Sequence, residues 1–268
     1  MKKMALSFVK CITFFVGWAV AASLLPLPPA EDPAVWRLWA ELIPLLAVMA
    51  FTLLFWLLEG RRVPLRLVRA PGRGLLIGAA AGVLWLAAPT LAMYAAGVIQ
   101  MEDVNQVQHF PLWVAAAVLN VAMQELLVRG YLYQMLRQRH GLMAAVTVTS
   151  ALFTLLHGGA FEAGLVPVLN VLTMSLLMTA ALEYTGSLAA PIVMHAVWNG
   201  VGALVLGGVS LAEDYPHLLN MTFSGGEFLS GGACKIEGSV FVLLTNGVLL
   251  LLFAALARRQ ARKSRAAA

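Results

Sequence analysis

The amino-acid sequence predicts an all-α fold, a polytopic transmembrane helix bundle of about eight spans. Three observations carry this. Hydrophobic residues make up 61% of the 268 residues and charged ones 12%, where a soluble domain carries about 25% charged residues. Apolar runs recur along the whole chain, each near the ~20 residues that a bilayer requires. The runs are continuous rather than alternating, which argues against a barrel and leaves helices, the other structure that satisfies its backbone in lipid. No stretch remains for a large soluble domain, so residues 1–268 read as a single membrane domain.

In chain order the spans are expected at roughly 5–25, 37–58, 74–98, 111–136, 142–158, 161–184, 187–209 and 239–257. Lys2 and Lys3 precede the first run as they would in a signal peptide, but its length and the following Pro26, Pro28 and Pro29 point to an uncleaved anchor. Residues 60–73 (GRRVPLRLVRAPGR) suit a short interfacial segment. The longest loop, 210–238, contains SGGEFLSGG and reads as a flexible extracytoplasmic connection.

The net charge of +5 is distributed by loop. Lys2 and Lys3, then Arg61, Arg62, Arg66, Arg69 and Arg73, then Arg137 and Arg139, then Arg258, Arg259, Arg262, Lys263 and Arg265 fall on one side. The alternate loops carry Glu31 and Asp32, Glu102 and Asp103, Glu162, and Glu213 and Asp214, with Arg37 and Lys235 as the basic residues there. The positive-inside rule then places both termini in the cytoplasm. Basic loops without a eukaryotic targeting signal fit a bacterial inner membrane. The basic residues are accounted for by topology and anionic headgroups, so the lipid bilayer is the expected partner and nucleic acid is not. Cys11 lies in an apolar run and Cys234 in a loop, which suggests neither a disulfide framework nor a cysteine metal site.

Ionisable residues inside spans are costly and point to function. Span four, PLWVAAAVLNVAMQELLVRGYLYQML, holds Asn120, Gln124, Glu125 and Arg129. Glu125 and Arg129 are four apart and share a helical face, where they can form a structural ion pair. Gln124 is turned about 100° from Glu125, so the two cannot aim at one point without a distortion of the helix. His157 ends span five beside Gly158 and Gly159. His195 and Asn199 share a face of span seven, with Pro191 one turn earlier. Three helices presenting polar groups to a shielded pocket would shift pKa values and permit acid–base chemistry. Arg37 and Glu41 fall near the start of span two and are expected at the interface, and Lys10 is expected to snorkel. G-x-S-x-G, H-E-x-x-H and P-loop motifs are absent.

These three segments resemble the motifs of the CPBP family of intramembrane proteases, also called the CAAX protease or Abi family. Its pattern is E-E-x-x-x-R, F-x-x-x-H and H-x-x-x-N. Here it is met by Gln124-Glu125-Leu126-Leu127-Val128-Arg129, by Phe153-Thr154-Leu155-Leu156-His157 and by His195-Ala196-Val197-Trp198-Asn199, with Gly130 also fitting. The expected catalytic core is 105–205. The resemblance implies an endopeptidase acting on a membrane peptide or protein substrate, with a site made of Gln124, Glu125, Arg129, His157, His195 and Asn199. It implies either a glutamate that activates water, with His195 and Asn199 stabilising the oxyanion, or a divalent metal such as zinc on Glu125, His157 and His195. One position departs from the pattern. The first glutamate, the usual base, is Gln124, and an amide has no carboxylate to titrate. An active peptidase in which Glu125 takes over as base after a local turn of the helix, an inactive pseudoprotease or scaffold that still binds peptides, and a proton-coupled transporter using a Glu125–His157–His195 relay are the readings that follow.

Overall fold

The computed structural model describes the chain except for residues 1, 68–70, 213–214 and 267–268. Arg69, Glu213 and Asp214 lie outside the described residues, as do the side chains of Lys2, Lys3 and Arg265. The apolar runs fold as α1 (Lys2–Leu24), α2 (Pro33–Leu58), α3 (Pro71–Ala95), α4 (Phe110–Glu125), α5 (Tyr131–Leu155), α7 (Leu165–Thr185), α8 (Ala189–Asn199) and α10 (Val240–Ala266). The short helices α6 (Gly158–Ala163) and α9 (Glu227–Ser230) lie between them. Among the described residues six helical runs are long and apolar enough to cross a membrane, and Ala189–Val205 is a shorter apolar one. The chain is thus an all-α, multi-pass membrane protein. Expected spans four and five fall on one run, Phe110–Leu155, broken at Gly141, whose φ of 84° and ψ of −179° only glycine adopts readily.

The 210–238 segment corrects one expectation. Rather than a featureless Gly-rich loop, it holds β2 (Leu219–Phe223), α9 and a 3₁₀ turn at Gly232–Gly238. β2 pairs antiparallel with β1 (Ile99–Val104), Ile99 opposite Phe223 and Val104 opposite Leu219. Asn105 closes the ribbon by donating from Nδ2 to the His217 carbonyl at 3.1 Å and to Asn220 at 2.9 Å. Such pairing joins residues more than a hundred positions apart and leaves no local pattern.

The chain forms two compact units. The first comprises Met1–Leu67 and His109–Thr149. There α2 packs against both α1 and α4. Phe14, fully buried, meets Phe55 edge-on and stacks on Tyr131, both at 5.3 Å between ring centroids. Asp32 starts α2 by accepting from the Ala34 and Val35 amides at 2.9 and 3.0 Å, a standard N-cap. The Val35 amide, helped by His109 and Ala34, holds the Asp32 carboxyl below its usual range.

The second unit comprises Val68–Gln108 and Ser150–Ala268. Its close packing of α3 on α8 comes from three glycines spaced by four, Gly74, Gly78 and Gly82. A Cβ on Gly78 would lie 2.7 Å from the Ala190 carbonyl, and one on Gly82 3.1 Å from the Met194 Cα. Small residues at this spacing let helix backbones approach where lipid supplies no hydrophobic drive. α7 packs on α10, where Asn246 accepts from Trp85 Nε1 at 2.6 Å and donates to the Asn170 carbonyl and to Thr173.

Candidate active site

In the first unit the motif falls at the end of α4. Glu125 and Arg129 are wholly buried and pair at 2.8 Å between Oε2 and Nη1. The helix does not continue regularly between them. Residues Leu126–Gly130 form a π-helical turn, the widened turn that often marks functional sites. Gln134 donates to the Arg129 carbonyl at 3.4 Å. The π-helical turn begins directly after Gln124 and Glu125. The two side chains go to different partners, Glu125 to Arg129 and Gln124 back along α4.

Gln124 donates from Nε2 to Asn120 Oδ1 at 2.7 Å. Asn120 donates from Nδ2 to Glu41 Oε2 at 2.8 Å, and Glu41 Oε1 accepts from Arg37 at 3.2 Å. The direction of this chain follows from its far end. An ionised carboxylate only accepts, so Asn120 must turn its NH₂ to Glu41 and its carbonyl to Gln124. Gln124 must then donate, which leaves its Oε1 as a buried acceptor with no hydrogen-bond partner. Glu41 corrects an expectation. It is 6% exposed rather than interfacial, and it is the functional-region residue that sequence reasoning ranked too low. The available signal was its i, i+4 spacing from Arg37 within an apolar helix, the same pattern that singled out Glu125 and Arg129.

In the second unit Phe153 holds the histidines together. Its ring centroid lies 4.4 Å from that of His157 and 6.1 Å, edge-on, from that of His195. His157 follows the end of α5, and its Nδ1 meets the Phe153 carbonyl at 2.7 Å. A carbonyl only accepts, so Nδ1 carries the proton and Nε2 the lone pair in the neutral ring. His195 and Asn199 share a buried face of α8, at 1% and 5% exposure. Immediately after Asn199 comes a second π-helical segment, Gly200–Val205. Trp198, between them, stacks on Trp85 at 4.3 Å and donates to Glu237 Oε1 at 3.1 Å. Glu237 Oε2 accepts from the Ser210 amide. The loop carboxylate thus anchors the helix that carries His195 and Asn199, a contact invisible in sequence because Glu237 looked like part of a flexible loop.

Each unit so assembles its own predicted residues: Gln124, Glu125 and Arg129 in the first, His157, His195 and Asn199 in the second. Residues 106–201 match the family model for type II CAAX prenyl endopeptidase Rce1-like proteins. Over these residues the chain is similar to the Rce1-like family. No curated protein and no solved structure matches it. The Rce1-like match covers all three motifs. The matched family is one of prenyl endopeptidases. Among the described residues no three His, Cys, Asp or Glu side chains are grouped as a metal ion would require. Glu125 is moreover committed to Arg129.

Proposed function

We propose that this Rce1-like protein is an intramembrane endopeptidase of the CAAX-protease type whose hydrolysis is attenuated at Gln124. The observation that carries the reading is the state of position 124: an amide held by Asn120, with a buried oxygen that lacks a partner. Such an oxygen can accept a hydrogen bond from water but cannot take its proton. Glu125, paired with Arg129, serves as an ion-pair partner rather than a base. His157, with its lone pair on Nε2, is the group able to receive the proton. Assigning both sets of residues to one reaction rests on the order and spacing of the three motifs.

In the reaction, a water oxygen attacks the scissile carbonyl carbon and gives its proton to His157 Nε2. His195 and Asn199 donate to the developing oxyanion. The C–N bond then breaks as His157 returns the proton to the leaving nitrogen. Loss of the carboxylate base costs such a reaction about 10²–10⁴-fold. The pseudoprotease reading, peptide binding without cleavage, is favoured by the pairing of Glu125 with Arg129 and by the amide at position 124, which has no carboxylate to act as base.

The test uses the purified protein in lipid nanodiscs with a transmembrane peptide carrying a cleavable, labelled segment. Slow cleavage is expected. It should be lost in His157→Ala and raised about 10²-fold or more in Gln124→Glu. Cleavage unchanged by His157→Ala would remove the proposed base. Peptide binding with no cleavage by the native chain, and cleavage only after Gln124→Glu, would establish the pseudoprotease reading instead.

A further inference from the structure

A cavity of about 550 Å³ opens in the first unit at the end of α2, lined by Leu58, Glu59, Gly60, Arg62, Gln138 and Arg139. Its size falls within the range of about 300–1,000 Å³ typical of small-molecule sites. The local chain builds it. Gly60 and Arg61 take left-handed φ values of 62° and 60°, folding the chain back over the end of α2. The amides of Gly60 and Arg61 donate to the carbonyls of Leu57 and Trp56. Gln138 donates to the Arg62 carbonyl at 3.1 Å and ties this turn to α5.

Lys10 and Arg139 pair with Glu59, the carboxylate lining the cavity, Arg62 lines it too, and Arg61 lies over the nearby Trp56 ring. Two features of the site oppose an anion, namely Glu59 and the negative end of the α2 dipole. Both are answered. Glu59 is engaged by Lys10 at 2.6 Å, by the Tyr131 hydroxyl at 3.0 Å and by Arg139. The last carbonyls of α2 are taken up by the turn. Burial pushes the Glu59 carboxyl up, but Lys10, Tyr131 and Arg139 outweigh it and hold it below its usual range, so it stays ionised. The Arg62 guanidinium, by contrast, meets no charged or hydrogen-bonding side chain among the described residues, and it lines the cavity.

The flank of the cavity is apolar. Leu54, Leu57 and Leu58 are 48%, 45% and 73% exposed along α2. Trp56 lies one turn from the end, with Arg61 over its ring at 5.6 Å and its indole nitrogen bonded to the Val63 carbonyl. A tryptophan and arginines at the end of an apolar span mark the headgroup level of a bilayer. A phosphate site continuous with exposed leucines matches a molecule with an anionic head and acyl tails better than a free ion.

We propose that this cavity binds the phosphate headgroup of an anionic phospholipid, with Arg62 and Arg139 contacting the phosphate and α2 carrying an acyl chain. Basic pockets between membrane helices recognise such headgroups, and each cation near the surface contributes about fivefold in affinity.

The full-length protein, reconstituted in nanodiscs of mixed phosphatidylglycerol and phosphatidylcholine, is released into detergent and its retained lipids are measured by native mass spectrometry. Phosphatidylglycerol should be retained over phosphatidylcholine by about tenfold or more. Arg62→Gln, which leaves the Glu59 contacts intact, should cut that preference about fivefold. Arg62→Gln with Arg139→Gln should abolish it, and Arg259→Gln, on α10, should not change it. Equal retention of the two lipids would overturn the proposal, as would a preference untouched by Arg62→Gln. Displacement of the lipid by millimolar inorganic phosphate, with the same thermal stabilisation, would overturn it in favour of a free-anion site.

Discussion

Glu125 and Arg129 are both fully enclosed, and neither charge reaches water. A buried pair of this kind contributes little net stability, yet removing one member strands the other. Arg129→Ala is therefore expected to destabilise the protein by about 3–5 kcal/mol, read as a fall in the midpoint of denaturant unfolding in detergent. Replacing both together, Glu125→Leu with Arg129→Met, should restore much of the loss. A single variant as stable as the native chain would show that the pair is not the closed unit described. Gln124 differs in kind. Its orientation is inherited from Arg37 through Glu41 and Asn120, so a substitution at Glu41 reaches position 124 without touching it. The i, i+4 pairs Glu125–Arg129 and His195–Asn199 were legible in sequence because helical spacing is local. The Asn120–Glu41 contact was not, because it joins residues 79 apart, and nothing in either helix alone names its partner.

At the scale of elements, α3 and α8 test the glycine packing directly. Gly78→Leu places side-chain atoms where the Ala190 carbonyl lies and should force the helices apart, lowering thermal stability and the yield of folded protein. Gly72→Ala is the control, since a Cβ there meets nothing within 4 Å, and alanine should gain about 0.5–1 kcal/mol from helix propensity. Equal effects from the two variants would count against close backbone approach. Helix positions were readable from hydropathy, and their ends fell within a few residues of expectation for α1 and α2. The π-helical segments after Glu125 and Asn199 were not, because one extra residue in a turn leaves the apolar content unchanged. The β1–β2 ribbon escaped notice for another reason: strands of six and five residues, IQMEDV and LNMTF, are too short to show a clear alternation, and their pairing joins distant parts of the chain.

For the whole molecule, hydropathy settled the fold class and charge supplied an orientation that remains to be measured. With Cys11 and Cys234, the two cysteines of the chain, replaced by serine, single cysteines are introduced as Arg259→Cys and Phe228→Cys. In oriented vesicles an impermeant thiol reagent should label them from opposite faces, position 259 from the cytoplasmic one. Labelling from the same face would overturn the loop-charge assignment. The π-helical turn at Leu126–Gly130 has a separate bearing on how this chain tolerates change. Deleting one residue within it would yield an uninterrupted α-helix, with the hydropathy of the run preserved. The helix beyond would keep its facing, because the wide turn already spreads one extra residue over the same rotation. A deletion in a regular turn would instead rotate the rest by about 100°, and Tyr131 and Arg139, which both reach Glu59, would face elsewhere. The turn thus works like slack between two lengths of a common shaft, taking up one residue without changing the angle. A deletion is tolerated there for reasons of angle rather than of polarity.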